Sequence, residues 1–305
     1  MTLAYKGVFP APPTPLRADG RVHEQALRAL LEDNMAHGAH GFWMAGTTGE
    51  GPILSEDQRD AVARISAETC RGKALVIMHV GAIATASAVK AARAARAAGC
   101  DAVCCLPPFF FPSSERSRIE HCRAVADAAG DLPFFVYNLP QLTQVEIVPR
   151  LMETFVRALP TLKGVKHSAP NFSDIRVFAD MGLTVFSGNG AFPLPALTMG
   201  AAGSIDAPLA LAPWHYAELF GAWEAGDLKR AQALQDGVRK INDLVWMFGA
   251  PVHVCKVVLS ARLDVDCGRP VAPVNSLTAD EQREVLRVAK SLDLAAPRPA
   301  ASRRP

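Results

Sequence analysis

Thr161-Leu162-Lys163-Gly164-Val165-Lys166-His167-Ser168 reads as a short buried strand that ends in a lysine. Side chains alternate faces along a strand, so Lys166 shares a face with Gly164 and Ser168 while His167 points the other way with Val165. On the inside of a barrel the ammonium would lose its hydration, and burial would favour the neutral amine. A neutral amine is a nucleophile toward ketones. The same eight residues also fit a lysine that ends an edge strand in solvent, where most lysines lie. The flanking pattern has to choose between the two.

Outward from this stretch, short apolar strands alternate with helical patterns from residue 7 to about 225. Strands are expected near Gly7–Pro10, Gly41–Ala45, Leu75–Val80, Asp101–Leu106, Phe134–Tyr137, Thr161–Ser168, Thr184–Ser187 and Gly203–Asp206. Between them, Leu27, Leu30, Leu31 and Asn34 recur at helical spacing, Ser55 with Gln58 forms a capping box, and Thr85–Ala98 is an alanine-rich helix closed by Gly99. Ser114–Ala129, Ile147–Leu159 and Trp214–Ala225 are further helices. Eight such units closing on themselves make an α/β fold of the (β/α)8 TIM-barrel type. A doubly wound open sheet competes, but the nucleotide fingerprints it usually carries are missing.

Beyond the repeat, Asp227–Phe248, Val252–Arg262 and a helix capped by Thr278 and Glu281 read as additional C-terminal helices that must cover the barrel's flank or another subunit. The expected organisation is a barrel over 1–225, a helical extension over 226–294 and a disordered tail over 295–305.

Composition narrows the function classes. Thirty-two basic against thirty acidic residues give a formal charge of +2, which provides no broad field for nucleic acid. Seven cysteines without CxxC spacing argue against a disulfide framework and a zinc ribbon, and fit a reduced cytoplasmic setting with Cys104 and Cys105 as core residues. The N-terminus shows no charged leader followed by an apolar run, and Ala74–Ala84 is too short to span a bilayer.

In a barrel of this kind the chemistry sits where strands end. Three groups fall there: Thr47 and Thr48 in the loop Gly46-Thr47-Thr48-Gly49-Glu50-Gly51, Tyr137 at the end of the fifth strand, and Lys166 at the end of the sixth. The loop offers backbone N–H groups and two hydroxyls, a geometry suited to a carboxylate or phosphate, but it lacks the P-loop ending. Tyr137 reads first as a core residue with a satisfied hydroxyl, although one strand from Lys166 that hydroxyl could shuttle protons for carbinolamine chemistry. His79 and His167 have no metal-ligand spacing and read as structural.

The order GTTGE, then YNLP, then GVKHS resembles the pyruvate-dependent Schiff-base lyases of the dihydrodipicolinate synthase and N-acetylneuraminate lyase superfamily, over about Gly7 to Leu292. The resemblance implies that Lys166 forms an imine with pyruvate or another 2-oxo acid, that Tyr137 relays protons, and that Thr47 and Thr48, with Gly46, hold the carboxylate. It implies that the backbone at Ile205 faces the pyruvate and that Ser168 reaches the substrate beyond C3. It implies a reaction without metal or organic cofactor, and a homotetramer or tight dimer. The segments Gly46–Gly51, His79–Ala82, Pro108–Phe110 and Lys166-x-Ser168 are similar to neuraminate lyases.

Departures from the pattern bear on the second substrate. Leu142 stands where the synthases place an arginine, and Gly190 and Ala191 stand where neuraminate lyases place an Asp-Glu pair. Phe110 stands about where the synthases lend a tyrosine across a dimer. An acceptor pocket of Leu142, Gly190, Ala191 and Phe110 implies an aldehyde with fewer hydroxyls than the sialic acid fragment. The expected activity is therefore a lyase or aldolase that makes or breaks a bond between pyruvate and an aldehyde. A dehydratase or deaminase using the same imine, dihydrodipicolinate synthase itself, and a non-catalytic 2-oxo-acid binding protein remain as alternatives.

Overall fold

The computed structural model describes residues 3–298. Eight strands, β1 (Gly7–Val8), β2 (Gly41–Met44), β3 (Leu75–His79), β4 (Ala102–Cys105), β5 (Phe134–Asn138), β6 (Leu162–His167), β7 (Thr184–Ser187) and β8 (Gly203–Ser204), pair in parallel in the order β1-β8-β7-β6-β5-β4-β3-β2. The ring is closed between β1 and β2 by single hydrogen bonds, from the His40 N–H to the Val8 carbonyl and from the Trp43 N–H to the Pro10 carbonyl, each 2.9 Å. This is the expected TIM barrel.

The first helices are α1 (Glu24–Ala36), α2 (Glu56–Cys70), α3 (Thr85–Ala98) and α4 (Glu115–Ala129). Around the rest of the barrel follow α5 (Pro140–Thr143), α6 (Pro149–Ala158), α7 (Asp174–Asp180), α8 (Pro193–Thr198), α9 (Pro208–Leu211) and α10 (Pro213–Glu224). The extension consists of α11 (Leu228–Val245), α12 (Pro251–Leu263) and α13 (Ala279–Ser291). The capping boxes at Ser55/Gln58 and Thr278/Glu281 are both formed. The short helices α5, α8 and α9 each open on a proline, which suits a first turn but leaves no periodic signal in so few residues.

Strand alternation divides the core in two. Outward residues such as Val136 and Val165 pack under the helices, in a cluster that also takes in Ile241, Val258 and Val285 of the extension. Inward residues, among them Phe9, Trp43, Ile77, Cys104, Phe135, Tyr137, Phe186 and Ile205, fill the barrel. Phe9 and Phe186 have ring centroids 4.7 Å apart, and Phe135 and Phe186 6.1 Å apart. The room comes from Gly41 and Gly164, whose missing β-carbons would lie 2.2 Å from the Phe9 ring and 3.0 Å from the Phe135 ring. All seven cysteines are free and buried.

Two ion pairs fasten the extension to the barrel. Lys256 Nζ lies 2.6 Å from Glu50 Oε2 with both side chains fully buried. Arg262 of α12 lies 2.7 Å from Asp33 of α1 and also donates to the carbonyls of Ala210 and Leu211. The tail differs from expectation in its first residues. Ala295 is buried, and the Arg298 guanidinium sits 4.1 Å from the centroid of the Trp214 ring, so 295–298 lie against the barrel. The remainder of the expected tail, 299–305, lies outside the described residues. Among the described residues no helix is long and apolar enough to cross a membrane.

Candidate active site

A cavity of about 940 Å³ opens at the C-terminal ends of the strands, roofed on one side by α11. Thr47 and Thr48 reach it from the loop after β2, Tyr137 from β5, Lys166 and Ser168 from β6, and Leu142 from α5. Six of the ten residues read from the sequence therefore share one space.

Lys166 follows the parity argument. It is 3% exposed, and its Nζ stands 4.5 Å from the Tyr137 ring centroid and 5.3 Å from that of Trp43. Such contact with aromatic faces holds a cation, and it leaves a neutral amine equally well placed to attack. Gly188 of the neighbouring strand end clears the lysine: a β-carbon there would lie 3.0 Å from Lys166 Cε and 1.9 Å from Ser168 Oγ. His167 faces outward, between Asn138, the Asn171 carbonyl and the Phe178 ring.

Tyr137 is 3% exposed and packs edge-on against Trp43 and His79, while its hydroxyl stands 3.5 Å from Thr47 Oγ1. His79 is structural, as its spacing predicts. Its Nδ1 lies 3.0 Å from the Ala45 carbonyl, and burial, with the Arg59 charge nearby, pushes its pKa down to about 3, so it is a neutral wall for the tyrosine.

The threonine loop is held by its own chain and by two distant segments. The Gly51 N–H donates to the Gly46 carbonyl, and Thr14 Oγ1 donates to the Gly49 carbonyl at 2.6 Å. Glu50 takes the left-handed conformation with φ 60°, which turns its side chain inward to Lys256 and to the Val271 N–H. A β-carbon at Gly51 would lie 1.7 Å from the Ala45 carbonyl oxygen, so only glycine closes this turn.

The remaining expected residues lie elsewhere. Ile205 is fully buried inside the barrel, and its N–H donates to the Ser187 carbonyl. Gly46 is buried and acts through its carbonyl. Gly190 does not border the cavity. Its N–H donates to Asp206 Oδ2 at 2.7 Å. Phe110 is not in the cavity either: it is 80% exposed, with φ 76°, and stacks edge-on with Phe111.

The acceptor side is more polar than Leu142, Gly190, Ala191 and Phe110 imply. Gln141, Asn189, Asp206, Gln235, Arg239 and Asp243 also line the cavity. Asp206 follows directly on Ile205, so a charged residue at a strand end was the available signal. Gln235, Arg239 and Asp243 recur at helical spacing on α11 and look in sequence like an ordinary solvated face.

The chain matches the Dihydrodipicolinate synthetase family over residues 4–292. It is 32% identical over 283 residues to an N-acetylneuraminate lyase of Salmonella agona (strain SL483), covering 90% of this chain and 94% of the relative. It is 30% identical over 291 residues to a 4-hydroxy-tetrahydrodipicolinate synthase of Nitratidesulfovibrio vulgaris (strain DP4), covering 94% and 99%. In structure it resembles the wild-type sialic acid aldolase of Ruminococcus gnavus, with a TM-score of 0.90 and 26% identity over 95% of this chain and 98% of that one. A buried lysine at the end of β6 beside a tyrosine, on this scaffold and with these relatives, places the chain in the dihydrodipicolinate synthetase family as a class I, Schiff-base-forming aldolase, a carbon-carbon lyase.

Proposed function

We propose that the protein makes or breaks the bond between pyruvate and an aldehyde through an imine on Lys166. The observation that carries this reading is the burial of Lys166 inside the barrel with its amine against Tyr137, at the floor of a cavity large enough for two substrates. The neutral amine adds to the C2 ketone of pyruvate to give a carbinolamine. Loss of water, with its oxygen protonated on departure, leaves the iminium. Tyr137 carries these protons in this scheme, a role supported by the Thr47 hydroxyl 3.5 Å from its own. In the cleavage direction the C3–C4 bond breaks as the C4 hydroxyl loses its proton, and the bonding pair flows into the iminium to give the enamine. Protonation at C3 and hydrolysis then release pyruvate and the free lysine. The iminium is itself the electron sink, so the scheme needs no metal or organic cofactor.

Thr47 and Thr48, with the Gly46 turn behind them, hold the pyruvate carboxylate in this scheme, and Ile205 packs with Tyr137 in the barrel interior. Ser168 and Leu142 stand beyond C3 and meet the aldehyde. A homotetramer or tight dimer is the assembly we propose, supported by the exposed aromatic pair Phe110 and Phe111. Sedimentation of the purified protein tests it. Seven unpaired cysteines support a reduced compartment such as the cytoplasm.

The decisive experiment is intact mass after borohydride reduction in the presence of pyruvate, on the wild type and on Lys166→Arg. One reduced pyruvate on the Lys166 peptide, absent from the variant, is the expected result. No adduct, or an adduct on a different lysine, sinks the imine reading and favours a 2-oxo-acid binding protein.

A further inference from the structure

We propose that Asp206 selects the second substrate, its carboxylate accepting a hydrogen bond from a hydroxyl close to the aldehyde carbon, so that the enzyme prefers small neutral hydroxyaldehydes to unsubstituted and to carboxylate-bearing ones. The inference rests on the imine reading above and concerns the other half of the same cavity.

Asp206 lines the cavity on the same strand-end rim as Lys166, Ser168 and Gly188. It is half-buried, and it is close enough to Lys166 for that charge to oppose the upward push that burial exerts on its pKa. Its two oxygens are each held by one backbone donor: Oδ2 by the Gly190 N–H at 2.7 Å and Oδ1 by the Ala207 N–H at 2.8 Å. A carboxylate offers about four lone-pair sites, so each oxygen retains an acceptor position after these bonds.

The holder is rigid. The Gly190 carbonyl accepts from the buried Tyr216 hydroxyl at 2.9 Å, and Gln235 of α11 spans the same loop, donating to the Ala191 carbonyl and accepting from the Leu194 N–H. Gly190 also leaves the carboxylate its space, because a β-carbon there would stand 2.9 Å from Oδ2 and 3.0 Å from Pro208 Cγ. The side chain is thus fixed by its neighbours, and it lines the cavity with acceptor positions to spare.

The discrimination follows from what each aldehyde does to those lone pairs. A hydroxyaldehyde satisfies one with a charge-assisted hydrogen bond. An alkyl aldehyde of the same size covers the carboxylate and leaves it unpaired, at the cost of its desolvation. An aldehyde bearing a carboxylate meets it as a like charge.

The test has two arms. Borohydride trapping with pyruvate on wild type, Asp206→Asn and Gly190→Ala reads the imine half alone and is expected to give the Lys166 adduct in all three. Absence of the adduct in the wild type overturns the imine reading and this proposal with it. Initial rates of condensation with glycolaldehyde, D-glyceraldehyde, propanal and glyoxylate then read the acceptor half. The wild type is expected to prefer the two hydroxyaldehydes. Asp206→Asn should lose about 10- to 100-fold in kcat/KM on them, stay within about threefold on propanal and gain on glyoxylate. Gly190→Ala, which displaces the carboxylate without removing its charge, should impair the same two substrates. A wild type that prefers propanal or glyoxylate, or variants that lose equally on hydroxyaldehydes and propanal while still forming the adduct, would overturn the selection by Asp206.

Discussion

The two ends of the cavity are built differently. The inner end is made by strand residues: Tyr137 and Lys166 are register partners on β5 and β6, both 3% exposed, with Trp43 of β2 and the threonine loop beside them. The outer end is made by a loop, three short proline-started helices and one face of α11, with Leu142 60% exposed and Phe192 and Trp246 about half exposed. Backbone hydrogen bonds to two neighbours hold the inner residues, whereas side-chain clamps such as Gln235 hold the outer ones. The inner end is therefore suited to one unchanging reaction and the outer end to a variable partner.

Mutations should separate the two. Lys166→Arg should abolish turnover, by on the order of 10⁴-fold or more, with every aldehyde alike, because no amine of the right basicity remains to form the imine. Steady-state assays across an aldehyde panel check it, and residual activity that varies with the aldehyde would break the division. Tyr137→Phe should reduce kcat about 10²- to 10³-fold, again uniformly, while leaving pyruvate binding largely intact. A rise in KM for pyruvate with kcat unchanged would make the tyrosine a packing residue only.

Lys256→Met tests whether the inner end depends on the C-terminal helices. It leaves the fully buried Glu50 carboxylate uncompensated and should destabilise the fold by about 3–5 kcal/mol in chemical denaturation. It should also raise KM for pyruvate by loosening the threonine loop. An unchanged melting midpoint would show that the pair contributes little. The smallest effect belongs to the rim: Arg239→Ala, an exposed residue on α11, should change KM for the aldehyde by about two- to fivefold and leave KM for pyruvate alone. An effect on pyruvate instead would mean that α11 reaches further inward than its side chains suggest.

The same contrast explains what could be read from the chain. The eight strands, their inward and outward faces and the place of Lys166 follow from alternation, and a one-residue slip would have turned Lys166 out and His167 in. Residues carried by strand ends, namely Thr47, Thr48, Tyr137 and Ser168, were legible for that reason. Phe110 lies outside the cavity of the single chain, and its left-handed backbone is a feature that no periodicity encodes. Gly190 was read as lining the pocket when its backbone serves Asp206. Arg239 and Asp243 were invisible because a polar helix face looks the same over water as over a cavity. Asp206 adjoins Ile205 and was passed over: it was read as the last residue of the eighth strand, which in the structure ends at Ser204.

The buried pair of Glu50 and Lys256 has an evolutionary consequence. The two positions lie 206 residues apart, yet neither can change alone without leaving a charge stranded in the core. They can drift only together, through an intermediate that is poorly folded. A chimera that takes its C-terminal helices from a relative will inherit a working threonine loop only if the donor brings a cation to the same depth.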